Sequence, residues 1–333
     1  MRHNIETIRR ASSRRRGGWK HVAVALAAAV LAAGAVQAAP ADVLIPGNHV
    51  YPESLTSAAD GTLYIGSMAE GVVLRAAPGA TTAAPFIAAG SNGILSVLGV
   101  LADDASNTLW VCSSDLSAFG VVMQTGEKPV ALKAFDLQTG APKGSYPLPG
   151  EKTLCNDIVR AADGTLYVTD SFNPHILRLK AGAEQLEVWA EDPRFTVEKG
   201  AGLDGIAIGS DGAVYVNTYN GSGLYRVALK PDGTAGAVTT LKTSQKIELA
   251  DALRAIGPNT FLMIEGTGKL DRITVSGDDA KIEVVRDGFK LPVSVTVVGD
   301  TAWVVEGQLN HLFDPKLGPP APFLVIPVSG FNK

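Results

Sequence analysis

Three segments of this chain place an oxygen-bearing side chain at one fixed distance from a turn glycine. Glu53, in Pro52-Glu53-Ser54, lies eight residues before Gly61; Asn156, in Cys155-Asn156-Asp157, lies eight before Gly164; Asp204, in Leu203-Asp204-Gly205, lies eight before Gly212. Each copy then passes through Asp-Gly into a short apolar stretch carrying Tyr64, Tyr167 or Tyr215. A structural repeat sets equivalent residues at equivalent points in space, so these three side chains are expected to converge. Two carboxylates and a carboxamide, completed by water, suit Ca²⁺, which takes six to eight oxygens in flexible geometry; Mg²⁺ or Mn²⁺ are the alternatives. Zinc is disfavoured, because the set has no Cys or His. A divalent cation there would polarise a carbonyl or phosphoryl oxygen and orient the substrate. Asp204, beside the metal and facing the mouth, is the candidate to activate the attacking water. The competing reading is that Asn-Asp and Asp-Gly are ordinary turn dipeptides. Glu53, which has no turn-forming role, favours the metal.

The elements that must position these residues recur about every 45 residues: a short apolar strand, a tight turn, a second strand carrying an aromatic or large apolar residue, a polar loop and a third strand. Second strands are predicted at 62–65, 108–111, 165–168, 213–216, 260–263 and 301–304. Third strands are predicted at 71–75, 131–136, 176–179, 224–228, 269–274 and 323–328. Six all-strand units with Gly and Pro at the turns predict an all-β, six-bladed β-propeller forming a single domain over 39–333. The strand at 41–45 precedes the first full unit, and the last unit lacks a fourth strand. The N-terminal strand is therefore expected to close the last blade and remove an exposed edge. One short helical turn is expected over 245–253. In a propeller the inner strands line the central channel, and the ends of the second strands return to the same face. This expectation puts Asp170, Glu265 and Glu306 at the substrate pocket, with loop capping (Asp170) and solvated rim positions (the two glutamates) as the alternatives. The histidines, among them His49, His175 and His311, are dispersed, and there is no Gly-x-Ser-x-Gly elbow, dinucleotide fingerprint or phosphate loop.

The six units together with Pro52-Glu53-Ser54, Cys155-Asn156-Asp157 and Leu203-Asp204-Gly205 resemble the senescence marker protein/gluconolactonase/luciferin-regenerating-enzyme family, which includes regucalcin. The resemblance spans essentially the whole chain after the leader. It implies a six-bladed propeller holding a divalent cation, usually calcium, and hydrolysing lactones or related esters. Carried over by motif, Glu53, Asn156 and Asp204 match the metal positions, and Asp204 also matches the acid/base position. The second unit departs from the pattern. Where the family often supplies an Asn, this chain reads Ser96-Val97-Leu98-Gly99-Val100, and Leu98 or a neighbour fills the slot. The stretches 98–116, 135–140 and 146–150 also resemble the yellow/royal-jelly-like propellers, which are better known for binding small ligands. Two functions therefore stand: a metal-dependent hydrolase of a lactone or ester, and a propeller that binds a small molecule or protein without chemistry.

Residues 1–38 are read as a secretory signal peptide. Arg9, Arg10, Arg14, Arg15, Arg16 and Lys20 precede an Ala/Val/Leu run too short to span a bilayer comfortably, and Val36-Gln37-Ala38 offers small residues for cleavage. The leader is of Sec type, with Ser13-Arg14-Arg15 pointing weakly to twin-arginine export; a membrane anchor is the alternative. A periplasmic or secreted protein is expected. Without the leader the chain is acidic by about ten charges, which argues against nucleic acid or an anionic membrane as partner. The expected partner is a small molecule, and a closed propeller needs no second copy for stability, so a monomer is expected. Cys112 and Cys155 are read as two small buried hydrophobes in preference to a disulfide.

Overall fold

The structure, a computed structural model, describes residues 40–121 and 130–332. The leader expectation, on 1–38, lies outside the described residues. Six small sheets each begin with an inner strand: Pro52–Ser57, Ser96–Asp103, Cys155–Arg160, Leu203–Ile208, Ala250–Gly257 and Pro292–Val298. Each inner strand pairs antiparallel with the strand that follows it. It also packs against the inner strand of the next blade, and the sixth packs against the first, so the ring is closed. This is a six-bladed β-propeller. Val43–Ile45 adds to Phe323–Ser329 with Val43 opposite Val325, so the N-terminal strand completes the last blade as expected. Blade five carries in addition a two-residue outer strand, Lys242–Thr243, in parallel pairing.

The repeated motif folds the same way in each of its three copies. Asp60, Asp163 and Asp211 each accept a hydrogen bond from the backbone N–H two residues on, at 2.8, 2.9 and 3.1 Å. Gly61, Gly164 and Gly212 then turn the chain at φ 88°, 88° and 77°, a region open to glycine without strain. The second strands that follow are buried along almost their whole length because neighbouring blades cover both faces. The core accordingly lies between blades, as where Leu55, Val293 and Phe323 meet across the closure.

Two expectations are corrected. No helix forms over 245–253; residues 244–249 are bends and coil, and Ala250 opens the inner strand of blade five. Cys112 and Cys155 form a disulfide with Cα atoms 5.1 Å apart. Cys112 lies in the second strand of blade two and Cys155 in the inner strand of blade three, so the blade-to-blade packing brings them together and the bond staples two blades. Among the described residues no helix is long and apolar enough to cross a membrane.

Candidate functional site

Every inner strand breaks register with its neighbour just after it begins. The breaks fall between Pro52 and Ser54, Val97 and Val100, Cys155 and Ile158, Leu203 and Ile206, Ala250 and Leu253, and Pro292 and Ser294. A β-bulge re-aims a side chain out of the pleat. The first residues within these six breaks are Glu53, Leu98, Asn156, Asp204, Asp251 and Val293. The first five line a central cavity of about 350 Å³. Val293 lines a void of about 10 Å³ directly beneath, shared with Glu53, Asn156, Asp204 and Asp251. The structure thus brings the three sequence-predicted residues together and places them inside strands, which excludes the turn-dipeptide reading for Asn156 and Asp204. It also puts Leu98 in the second-blade slot.

Close approach of the bulges needs glycine at two places. A Cβ on Gly99 would sit 2.1 Å from the carbonyl oxygen of Asn156, and one on Gly205 would sit 2.3 Å from that of Asp251. Side chains just behind the floor satisfy the backbone groups that the bulges free. Asn217 accepts from Gly205 N–H at 2.9 Å and donates to the Asp251 carbonyl at 2.7 Å. Thr169 Oγ1 donates to the Asp204 carbonyl at 2.8 Å and accepts from Asp157 N–H at 2.9 Å. In blades one, five and six the residue entering the inner strand, Tyr51, Leu249 or Leu291, is held at positive φ. Such a conformation costs a non-glycine residue about 1–2 kcal/mol and persists only where surrounding structure enforces it.

The floor is a dense group of negative charge. Asn156 donates both amide protons, to Ser171 Oγ at 2.8 Å and to Asp204 Oδ2 at 3.0 Å, which leaves its Oδ1 as an acceptor. Asp157 is neutralised by Arg254 through two bonds of 2.6 and 3.0 Å. Among the described residues Glu53, Asp204 and Asp251 form no ion pair, and all three are buried. Burial first, then the charge of Asp157, pushes Asp204 up to about 8. Glu53 is raised well above the carboxylate range by burial and then by Asp204. Asp251 is raised by burial and then by Asp204 and Glu53. Tyr219 also lines the cavity, and its phenol is raised by burial and by the same three carboxylates, so it is neutral there. Among the described residues no group of three or more His, Cys, Asp or Glu side chains is arranged as a ready metal site. The donor set is nevertheless all oxygen, and one donor is a carboxamide.

Asp170, Glu265 and Glu306 do not line the cavity. They occupy equivalent points, opposite the first residues of their inner strands, Cys155, Ala250 and Pro292. There they fasten the loop that leads into the strand. Asp170 accepts from Leu154 N–H at 2.9 Å and Phe172 N–H at 3.1 Å, Glu265 from Glu248 N–H at 3.1 Å, and Glu306 from Lys290 N–H at 2.8 Å. The floor residue that the sequence reading missed is Asp251. Its signal was present: Asn259, eight residues on, takes the turn at φ 49° in place of the glycine of the other copies. Asn is a residue that tolerates this conformation.

Fold and site together define a six-bladed propeller with a central, acidic-floored cavity. Structural comparison agrees on the fold. A gluconolactonase from Xanthomonas campestris superposes with a TM-score of 0.61 at 15% identity, over 85% of this chain and 87% of that one. A luciferin-regenerating enzyme gives 0.64 at 14% identity, over 85% and 92%. Virginiamycin B lyase from Staphylococcus aureus gives 0.58 at 15% identity, over 80% of each chain. No protein-family model matches the sequence, and no curated protein matches it.

Proposed function

We propose that this protein is an exported, divalent-cation-dependent hydrolase of a lactone or related ester, with Ca²⁺ as the preferred cation. One observation carries the reading: Glu53, Asp204 and Asp251 are gathered in a desolvated floor where, among the described residues, none of them is paired with a cation, because Arg254 pairs with Asp157. Buried carboxylates are tolerated when they are paired, protonated or bound to a metal. Oxygen donors from three carboxylates and Asn156 Oδ1 fit a hard cation of flexible geometry. Asp251 adds a carboxylate in blade five where Leu98 withholds a polar group in blade two. The gluconolactonase among the structural neighbours supports lactone chemistry on this architecture.

A bound divalent cation would supply Lewis-acid polarisation of the substrate carbonyl. Glu53, Asn156, Asp204 and Asp251 would hold it. The protein's own residues do the rest. Asp204 takes a proton from the attacking water as the new C–O bond forms, and returns it to the ring or alkoxy oxygen as the old C–O bond breaks. Asp204 lines the cavity floor, where a carboxylate can carry the proton in both directions.

The decisive experiment combines metal and turnover. Ca²⁺ is expected to raise the melting temperature of the purified protein, and Glu53→Gln to abolish that shift; a screen of lactones and aryl esters is expected to show turnover that Asp204→Asn removes. Calcium binding without turnover on any substrate would favour the second reading, a propeller that binds a small molecule without chemistry. That reading is supported by the apolar residues at two of six bulge positions, Leu98 and Val293.

A further inference from the structure

The central cavity changes character along its depth. At its floor stand the four oxygen-bearing side chains with Leu98; the wall is built by Met68, Leu116 and Leu154, and the mouth by Phe119, Phe172 and Phe313. The wall residues belong to the buried core between blades. The phenyl rings do not: Phe119, Phe172 and Phe313 are 51%, 37% and 48% exposed, although such large apolar side chains are ordinarily covered. The rings of Phe119 and Phe172 lie 5.8 Å apart, one from blade two and one from blade three. Among the described residues no Lys, Arg or His lines the cavity. Above the floor the polar side chains lining it are Tyr219, Asn220 and Asn310.

A polyhydroxylated substrate entering this space would lose water from each hydroxyl and find few partners on the wall, at roughly 1–3 kcal/mol for each one left unpaired. A hydrocarbon substituent would instead cover the exposed phenyl rings and gain about fourfold in affinity per methylene. We infer that the substrate is a lactone or ester bearing an alkyl chain, its carbonyl at the acidic floor and its chain lying along the leucine wall and out between the three phenylalanines. The carbonyl half of this assignment rests on the hydrolase reading; the preference for an alkyl chain rests on the wall and mouth alone. Phe172 has a second role in this arrangement. With Gly200 it also lines a side pocket of about 240 Å³ formed with Asn173, Phe195 and Thr196. It therefore stands between the cavity and this side pocket.

The test uses γ-lactams with alkyl chains from propyl to nonyl, which resemble lactones but resist hydrolysis, and measures Kd by calorimetry with the purified protein and Ca²⁺. The matching γ-lactones and a sugar lactone are assayed for turnover in parallel. The expected result is a Kd falling about fourfold per methylene until the chamber fills, and turnover of the sugar lactone at least tenfold poorer in kcat/KM than that of the octyl lactone. Phe119→Ser with Phe313→Ser, both about half exposed and checked for an unchanged melting temperature, is expected to weaken the long chains by about tenfold while propyl, too short to reach the mouth, keeps its Kd. Phe172→Ala is expected to move the optimum to longer chains. A Kd that ignores chain length, no binding by any alkyl lactam, or a sugar lactone preferred over the alkyl series would overturn the inference while leaving lactone hydrolysis standing. A chain-length gradient in Kd with no turnover of any lactone would support the alkyl pocket and sink the hydrolase reading.

Discussion

The protein buries two acidic clusters, and they behave differently. Glu53, Asp204 and Asp251 meet at the floor of the central cavity. Glu265 and Asp271 meet within blade five, on adjacent strands, each with no exposed surface. Asp204 and Asp271 are both pushed up to about 8, and burial is the largest cause in each case. The second-ranked causes differ. For Asp204 it is the charge of Asp157, whereas for Asp271 it is a hydrogen bond to Glu265. With both ionised, Glu265 Oε1 and the two Asp271 oxygens would have no donor, so a proton held on Asp271 closes the pair. Lys269 Nζ, 3.4 Å from Glu265, supplies positive charge to that pair. Among the described residues the floor carboxylates form no ion pair, and the floor opens onto space above and a small void below. A raised carboxyl pKa alone therefore does not mark a site. The same shift is structural when the pair is sealed and closed, and chemically usable when the group faces a cavity.

The sharpest way to break this comparison is to remove one acid from each cluster. Asp204→Asn is expected to lower kcat by about 10²–10⁴, the range for loss of a general acid–base. Asp271→Asn is expected to leave kcat within about twofold, since amide and acid can both donate to Glu265. Equal losses in steady-state assays would erase the distinction. Asp251→Asn should weaken Ca²⁺ binding on the order of tenfold by calorimetry, as expected when a carboxylate leaves the donor set; Glu265→Gln should leave the Ca²⁺ affinity unchanged.

Gly205→Ala probes the packing that brings the floor together. Its Cβ would meet the Asp251 carbonyl at 2.3 Å and the Leu253 N–H nitrogen at 2.5 Å, backbone that cannot yield cheaply. A loss of about 3 kcal/mol in urea unfolding is expected; an unchanged midpoint would show that the inner strands can separate. A further effect concerns pH. Asp271 titrates near 4 when unfolded and at about 8 when folded, so between these values the folded state holds a proton that the unfolded state has lost. Its contribution to stability is complete below about pH 4, declines as pH rises, and is exhausted above about 8. Asp271→Asn is expected to make this decline shallower, read from unfolding free energies between pH 5 and 8.

Much of this was legible because propeller blades are local. Each blade is a run of short antiparallel strands joined by tight turns, so alternation, turn residues and the 45-residue period reported five of the six second strands to within a residue or two of either end. The closing strand at 43–45 was legible as an unpaired strand facing a blade that lacked one. Glu53, Asn156 and Asp204 were legible because the repeat fixes their spacing to a glycine. Asp251 was not, because Asn259 replaces that glycine and the segment before it reads equally well as a helical turn.

What the sequence determined by itself was therefore the blade, the number of blades and three floor positions, all set by interactions within about ten residues. The tertiary structure decided what depends on neighbours from other blades. It set the disulfide between Cys112 and Cys155, the inward aim of Asp251, and the apolar mouth formed by Phe119, Phe172 and Phe313. It also decided that Asp170, Glu265 and Glu306 fasten loops. Those three carboxylates have the right chemistry and the right strand position for a pocket. Direction is what separates them from the floor: a bulge turns Asp204 into the channel, whereas the regular pairing at the second-strand end leaves Asp170 facing the loop beside it. The bulges arise where inner strands crowd around the axis, and that crowding exists only once the ring has closed.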